Sequence, residues 1–187
     1  MKLSVPTKRL FLAIPLSPYF HDTFSQYQEQ HPIQGVRWIP ADNLHITVYF
    51  LGDVKETHIP KLDEKLHDAF AGIKPFTLKF EKISFGPTGK GPRMIWAVYF
   101  AHDEYKKLVW AASGAAQEFV HQSHDRKNIV AHVTLARFSD PIVVAGIHLE
   151  QPSIETKTMP VSSCKLMESQ LTSKGALYTV VYSYAIT

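Results

Sequence analysis

Apolar residues recur along this chain with two periods, and each change of period marks a new element. Residues 9–16 read as a buried strand, with Leu10-Phe11-Leu12-Ala13-Ile14 continuously apolar. Phe20, Phe24 and Tyr27 then recur at helical spacing between Pro18 and His31, and Pro32 to Gly35 breaks that helix. A short strand at 36–39 leads through the turn-rich Pro40-Ala41-Asp42-Asn43 into the β-branched run from Leu44 to Leu51, which ends at Gly52-Asp53. Ile59, Leu62, Leu66, Ala69, Phe70 and Ile73 recur at three and four, with Lys61, Asp63, Glu64 and Lys65 on the wet side, which predicts a second helix.

Phe76, Leu78 and Phe80 alternate with Thr77, Lys79 and Glu81 in a half-buried strand over 76–85, and 94–100 is a more continuously apolar strand. The glycine- and proline-rich stretch from Gly86 to Arg93 between them lacks the spacing of a P-loop and reads as a flexible hairpin loop. A third helix is predicted over 103–122, with Tyr105, Leu108, Val109, Ala112, Ala115, Ala116, Phe119 and Val120 in one stripe. Further strands are expected near 131–137, 142–149, 161–172 and 176–186, the last two joined at Ser173-Lys174-Gly175. Strands and helices do not alternate as in a parallel doubly wound sheet, so the fold class is α+β with mostly antiparallel sheets. One domain spanning 1–187 is expected at this length.

Two of the strands share a polar feature. His45-Ile46-Thr47 and His132-Val133-Thr134, 87 residues apart, each place His and Thr on one face and apolar residues on the other. Ten histidines and twelve threonines in 187 residues give roughly 0.6 such spacings by chance, so spacing alone means little. A third match, His21-Asp22-Thr23, lies in a helical pattern where i and i+2 do not share a face, and is a decoy. A helix leads into each of the other two strands, which suggests a duplicated chain with pseudo-twofold symmetry.

Composition narrows the context. No 18-residue apolar run occurs, so no membrane span is expected. The basic start followed by Leu10 to Leu16 mimics a signal peptide, but Pro15 breaks it and no small-residue cleavage site follows, so a first core strand is expected. The single cysteine, Cys164, excludes an intramolecular disulfide and points to a cytoplasmic protein. Among ten histidines there is no His-Glu-x-x-His and no cysteine pair, and His58, His67, His102, His121, His124 and His148 sit among polar neighbours, so no metal and no cofactor is expected. A formal charge of +3 permits an anionic partner without a dedicated nucleic-acid patch.

Two facing strands of this kind would bring two imidazoles and two hydroxyls together. Near neutral pH one histidine of a pair can be neutral and the other protonated, which supplies a general base and a general acid. Threonine hydroxyls can donate to non-bridging phosphate oxygens, and the combination suits phosphodiester cleavage without a metal. For one such strand the plainer reading is a histidine satisfied by backbone beside a threonine chosen for β propensity. Two matched strands favour the paired site. Strict alternation places Tyr49 on the face of His45 and Thr47, where it would stack on a base or line a wall, and puts Phe50 in the core. Trp38, Trp96 and Trp110 read as packing residues, and Arg93 in the loop as a candidate substrate contact.

The sequence also resembles a known family through Arg9-Leu10-Phe11-Leu12-Ala13-Ile14-Pro15, Arg37-Trp38-Ile39-Pro40, Asn43 to Asp53, Pro92-Arg93-Met94-Ile95-Trp96 and His132-Val133-Thr134-Leu135-Ala136-Arg137. It resembles the 2H phosphoesterases, and more narrowly the bacterial and archaeal RNA 2′,3′-cyclic phosphodiesterases, historically called 2′-5′ RNA ligases. The resemblance continues through Leu166, Ser169, Gly175 and Tyr178. It implies a bilobal α+β fold, two pseudo-symmetric mostly antiparallel sheets flanking a central cleft with helices outside, and opening of 2′,3′-cyclic phosphates to 2′-phosphomonoesters. His45 and His132 become the catalytic pair, assigned as acid and base respectively, and Thr47 and Thr134 the phosphate donors. Arg137 matches an arginine that contacts phosphate, which requires the strand to end or bulge there. Tyr49 stands where relatives often carry a basic residue. The expected partners are RNA ends or small cyclic-phosphate nucleotides, with the chain a monomer. The alternatives are ATP-independent reversible 2′-5′ RNA ligation and a noncatalytic RNA- or nucleotide-binding module.

Overall fold

A computed structural model describes residues 5–87, 91–120, 129–138, 147–173 and 175–186. Its strands are β1 (Thr7–Pro15), β2 (Arg37–Trp38), β3 (His45–Lys55), β4 (Phe76–Gly86), β5 (Met94–Tyr99), β6 (His132–Arg137), β7 (Thr158–Val161), β8 (Ser163–Thr172) and β9 (Gly175–Ala185). Three helices, α1 (Pro18–Gln30), α2 (Ile59–Phe70) and α3 (Asp103–Ala116), join them. The expected α+β class holds, and every strand pairing described is antiparallel.

The strand order is β7-β4-β5-β6-β3-β1-β8-β9, with β2 paired to β6. It reads as two halves of one curled sheet. In one, β3 pairs β1, β1 pairs β8 and β8 pairs β9; in the other, β6 pairs β5, β5 pairs β4 and β4 pairs β7. The halves meet where Ile46 of β3 faces Val133 of β6, both fully buried. These are the two pseudo-symmetric lobes. Each is covered by a helix from the other: α1 follows β1 but lays Phe20 and Phe24 against Phe80 and Tyr99 of β4 and β5. Likewise α3 precedes β6 but donates from the Tyr105 hydroxyl to the Thr47 carbonyl of β3 at 2.9 Å.

The helices form because their apolar stripes find a sheet face. In α2, Ile59, Leu62, Leu66 and Phe70 are buried at the spacing the sequence predicts. Burying one such leucine is worth roughly 1.5–3 kcal/mol. Helix α3 ends at Ala116, sooner than the apolar stripe suggests, although Phe119 is buried and Val120 packs at the margin of the core. The strand expected over 142–149 lies outside the described residues up to 146, and no strand covers 147–157. The expected strand over 161–172 is two, β7 and β8, which pair with different lobes. Residues 88–90 of the hairpin loop, His121, His124 and Lys174 lie outside the described residues. Of the histidines read as solvated, His58, His67 and His148 are exposed, whereas His102 is half-buried and stacked on Phe76 at 5.1 Å. The decoy Thr23 sits in α1 and donates to the Tyr19 carbonyl at 2.7 Å.

Candidate active site

Continuing the antiparallel register one residue either side of the Ile46–Val133 pair sets His45 beside Thr134 and Thr47 beside His132. The four polar side chains therefore gather at the seam between the lobes. Ile46 and Val48, and Val133 and Leu135, point the other way into the core.

The two histidines are held alike. His45 Nδ1 lies 2.7 Å from the Asn43 carbonyl and His132 Nδ1 lies 2.8 Å from the Val130 carbonyl, in each case two residues upstream. A carbonyl only accepts, so both Nδ1 atoms carry protons and both Nε2 atoms are left to take or give a further proton. His45 Nε2 is 3.0 Å from the Thr47 hydroxyl. Burial pushes the His45 pKa below the ordinary histidine value; the Asn43 carbonyl bond opposes this, and the charges of His132 and Arg137 add to the lowering. Burial likewise lowers His132, opposed by the Val130 carbonyl and assisted by Arg137.

Arg137 acts on both imidazoles because β6 bulges. Trp96 pairs with Thr134 and Ile95 with Ala136, leaving Leu135 as an extra residue on β6. Leu135 and Ala136 are both buried in the core, so Arg137 returns to the face of His132. The lobe-related strand does the same. Ala13 pairs with Thr47 and Leu12 with Tyr49, leaving Val48 extra on β3. This overturns the expectation for Tyr49, which is 6% exposed and belongs to the core, whereas Phe50 turns to the cleft and is 50% exposed. The bulge shifts alternation by one, and Phe50 occupies in its lobe the position that Arg137 holds in the other.

Aromatic rings complete the surroundings. Phe11 lies 5.0 Å from His45, 4.9 Å from Tyr178 and 6.1 Å from Phe50, and Tyr178 meets the His45 ring edge-on at 5.5 Å. On the other side Trp96 stacks on His132 with centroids 3.9 Å apart, so it belongs to the site rather than to general packing. Gly86 makes room for it, since a Cβ there would run into the indole. Trp38 is partly buried and Trp110 is 51% exposed. Arg93 is exposed and fixed by its backbone to Gly86 and Phe138; alternation from Met94 directs it away from the face of Arg137. No group of three or more metal-ligating side chains occurs among the described residues, and no described helix is long and apolar enough to cross a membrane. Phe11, Trp96 and Phe50 have no polar signature, and only the cross-strand register reveals their place.

The chain is similar to known proteins over nearly its whole length. The family model for LigT like phosphoesterases matches residues 14–96. The RNA 2′,3′-cyclic phosphodiesterase of Archaeoglobus fulgidus is 29% identical over 174 residues, covering 91% of this chain and 96% of its own. That of Methanocaldococcus jannaschii is 28% identical, covering 92% and 98%. Among solved structures, TT0787 of Thermus thermophilus superposes with a TM-score of 0.79 at 24% identity, over 95% of this chain and 97% of that one. E. coli LigT complexed with 3′-AMP superposes with a TM-score of 0.78 at 22% identity, over 97% and 99%, a likeness of fold.

Proposed function

We propose that this chain is a LigT-like phosphoesterase and works as a single bilobal domain that hydrolyses RNA 2′,3′-cyclic phosphate ends to 2′-phosphomonoesters without a metal. The observation that carries the reading is the pair of histidines anchored alike through Nδ1, each beside a threonine, on two strands that meet at one buried residue pair. The cyclic phosphate sits between them, its non-bridging oxygens accepting from the Thr47 and Thr134 hydroxyls and from Arg137. His132 Nε2 takes a proton from water as the water attacks phosphorus. His45 Nε2 gives a proton to the departing 3′ oxygen, which leaves a free 3′-hydroxyl and a 2′-phosphate.

The bond between His45 and Thr47 couples the charge of His45 to anion binding. While His45 is neutral, the Thr47 hydroxyl donates to its bare Nε2. Once Nε2 is protonated it donates instead, and the threonine proton is released toward phosphate. Binding of the anion thus favours the charged form that the acid step needs. Phe50, beside Phe11, offers the base or ribose of the terminal nucleotide an aromatic face, the role expected of Tyr49.

The test is a short RNA ending in 2′,3′-cyclic phosphate, incubated in EDTA with wild type, His45→Ala and His132→Ala, the product being identified by phosphorus NMR. Formation of a 2′-phosphate, with a loss of about 10²–10⁴ in rate in each variant, is expected. Loss of turnover on chelation would refute the two-histidine mechanism.

A further inference from the structure

Arg37 of β2 lies directly opposite Arg137 of β6 in the antiparallel register. Directly opposed residues point to the same face, so the two guanidinium groups are neighbours at the edge of the cleft. Like charges facing each other destabilise a sheet, and here no carboxylate lies within ion-pair distance of either among the described residues. Both are exposed, and Trp38 beside Arg37 is partly buried against the core, which fixes the strand. The β6 bulge returns Arg137 to the face of His132, and Arg37 stands one strand beyond it. The pair therefore runs outward from the reacting phosphate, one strand spacing of about 4.8 Å per step.

We infer that Arg37, with Arg137, forms a second phosphate subsite that holds the 5′ phosphate of the terminal nucleotide, so that the site favours RNA chain ends over nucleoside cyclic phosphates. The inference rests on the proposed cyclic phosphodiesterase reading for the placement of the first phosphate. An anion between the two arginines removes the repulsion of the free protein and adds charge-assisted bonds of fixed fork geometry. A rival cation exists on the other lobe. Lys165 of β8 shares a face and a cross-strand row with Ala13 and Thr47, and has no ion-pair partner among the described residues. A backbone running that way would meet Lys165 instead.

Calorimetry with adenosine 2′-phosphate and adenosine 2′,5′-bisphosphate reads the second phosphate without turnover. Wild type should bind the bisphosphate roughly tenfold more tightly or better, and the logarithmic salt dependence should be steeper by about one. Arg37→Gln should reduce that ratio to within about twofold and remove the extra slope, while Arg37→Lys retains part of both and Lys165→Gln retains both. A ratio near one in wild type, or one that survives Arg37→Gln, overturns the inference. Collapse in Lys165→Gln but not in Arg37→Gln overturns it in favour of the other lobe. A parallel assay on adenosine 2′,3′-cyclic phosphate with and without a 5′ phosphate separates the two readings. Absence of hydrolysis sinks the catalytic reading alone, because the binding ratio still decides the arginine pair.

Discussion

Replacing Thr47 by valine removes one hydroxyl and keeps the β-branched shape that suits β3. In the free protein the loss is one partly buried hydrogen bond to His45 at 3.0 Å, a net cost of about 0.5–1.5 kcal/mol. The fold should tolerate this, because the core face of the strand, Ile46 and Val48, is untouched. In the proposed mechanism the same hydroxyl faces a phosphorane carrying extra negative charge, and a bond to a charged group is worth roughly 1.5–3 kcal/mol. At 1.36 kcal/mol per tenfold, Thr47→Val should lower kcat/KM by roughly 10- to 150-fold. Thr134→Val should cost a similar factor. If the hydroxyls hold different non-bridging oxygens the two losses multiply in the double variant, to roughly 10²–10⁴. The assay is initial rate on a trinucleotide 2′,3′-cyclic phosphate, with the thermal midpoint measured alongside. A Thr47→Val enzyme within threefold of wild type and equally stable would refute phosphate donation by Thr47.

Arg137→Gln removes a positive charge that lowers both imidazole pKa values, so both should rise and the acid limb of kcat/KM against pH should move upward, alongside a loss in rate; an unmoved limb would place the guanidinium away from the pair. In wild type both histidines lie below the ordinary value near 6.5, so the kcat/KM maximum of the free enzyme should fall on the acid side of that pH. Tyr49→Ala should destabilise by about 3–5 kcal/mol, whereas Phe50→Ala should shift the thermal midpoint little and raise KM; the opposite pattern would restore strict alternation in β3. Gly86→Ala should displace the Trp96 indole at a cost of about 1–3 kcal/mol, lowering the midpoint by several degrees and disturbing the stack on His132, which tryptophan fluorescence and rate report together.

Whatever a local period can encode was legible before folding. Helices α1 and α2 lie close to where their apolar stripes begin and end, and the two His-x-Thr strands stood out because a period of two sorts polar from apolar residues within one strand. The resemblance added Arg137 and the condition it needed, a bulge. Properties of pairs of strands came only with the folded chain. A bulge exists only where one strand carries a residue more than its partner, so the faces of Tyr49 and Phe50 could not be read from β3 alone. Trp96 and Gly86 reach His132 through the β4, β5 and β6 register, and Arg37 faces Arg137 across a sequence gap of 100 residues. Alternation is fixed by the chain's own stereochemistry, while register is fixed by which strands meet, and the site lies where those two requirements intersect.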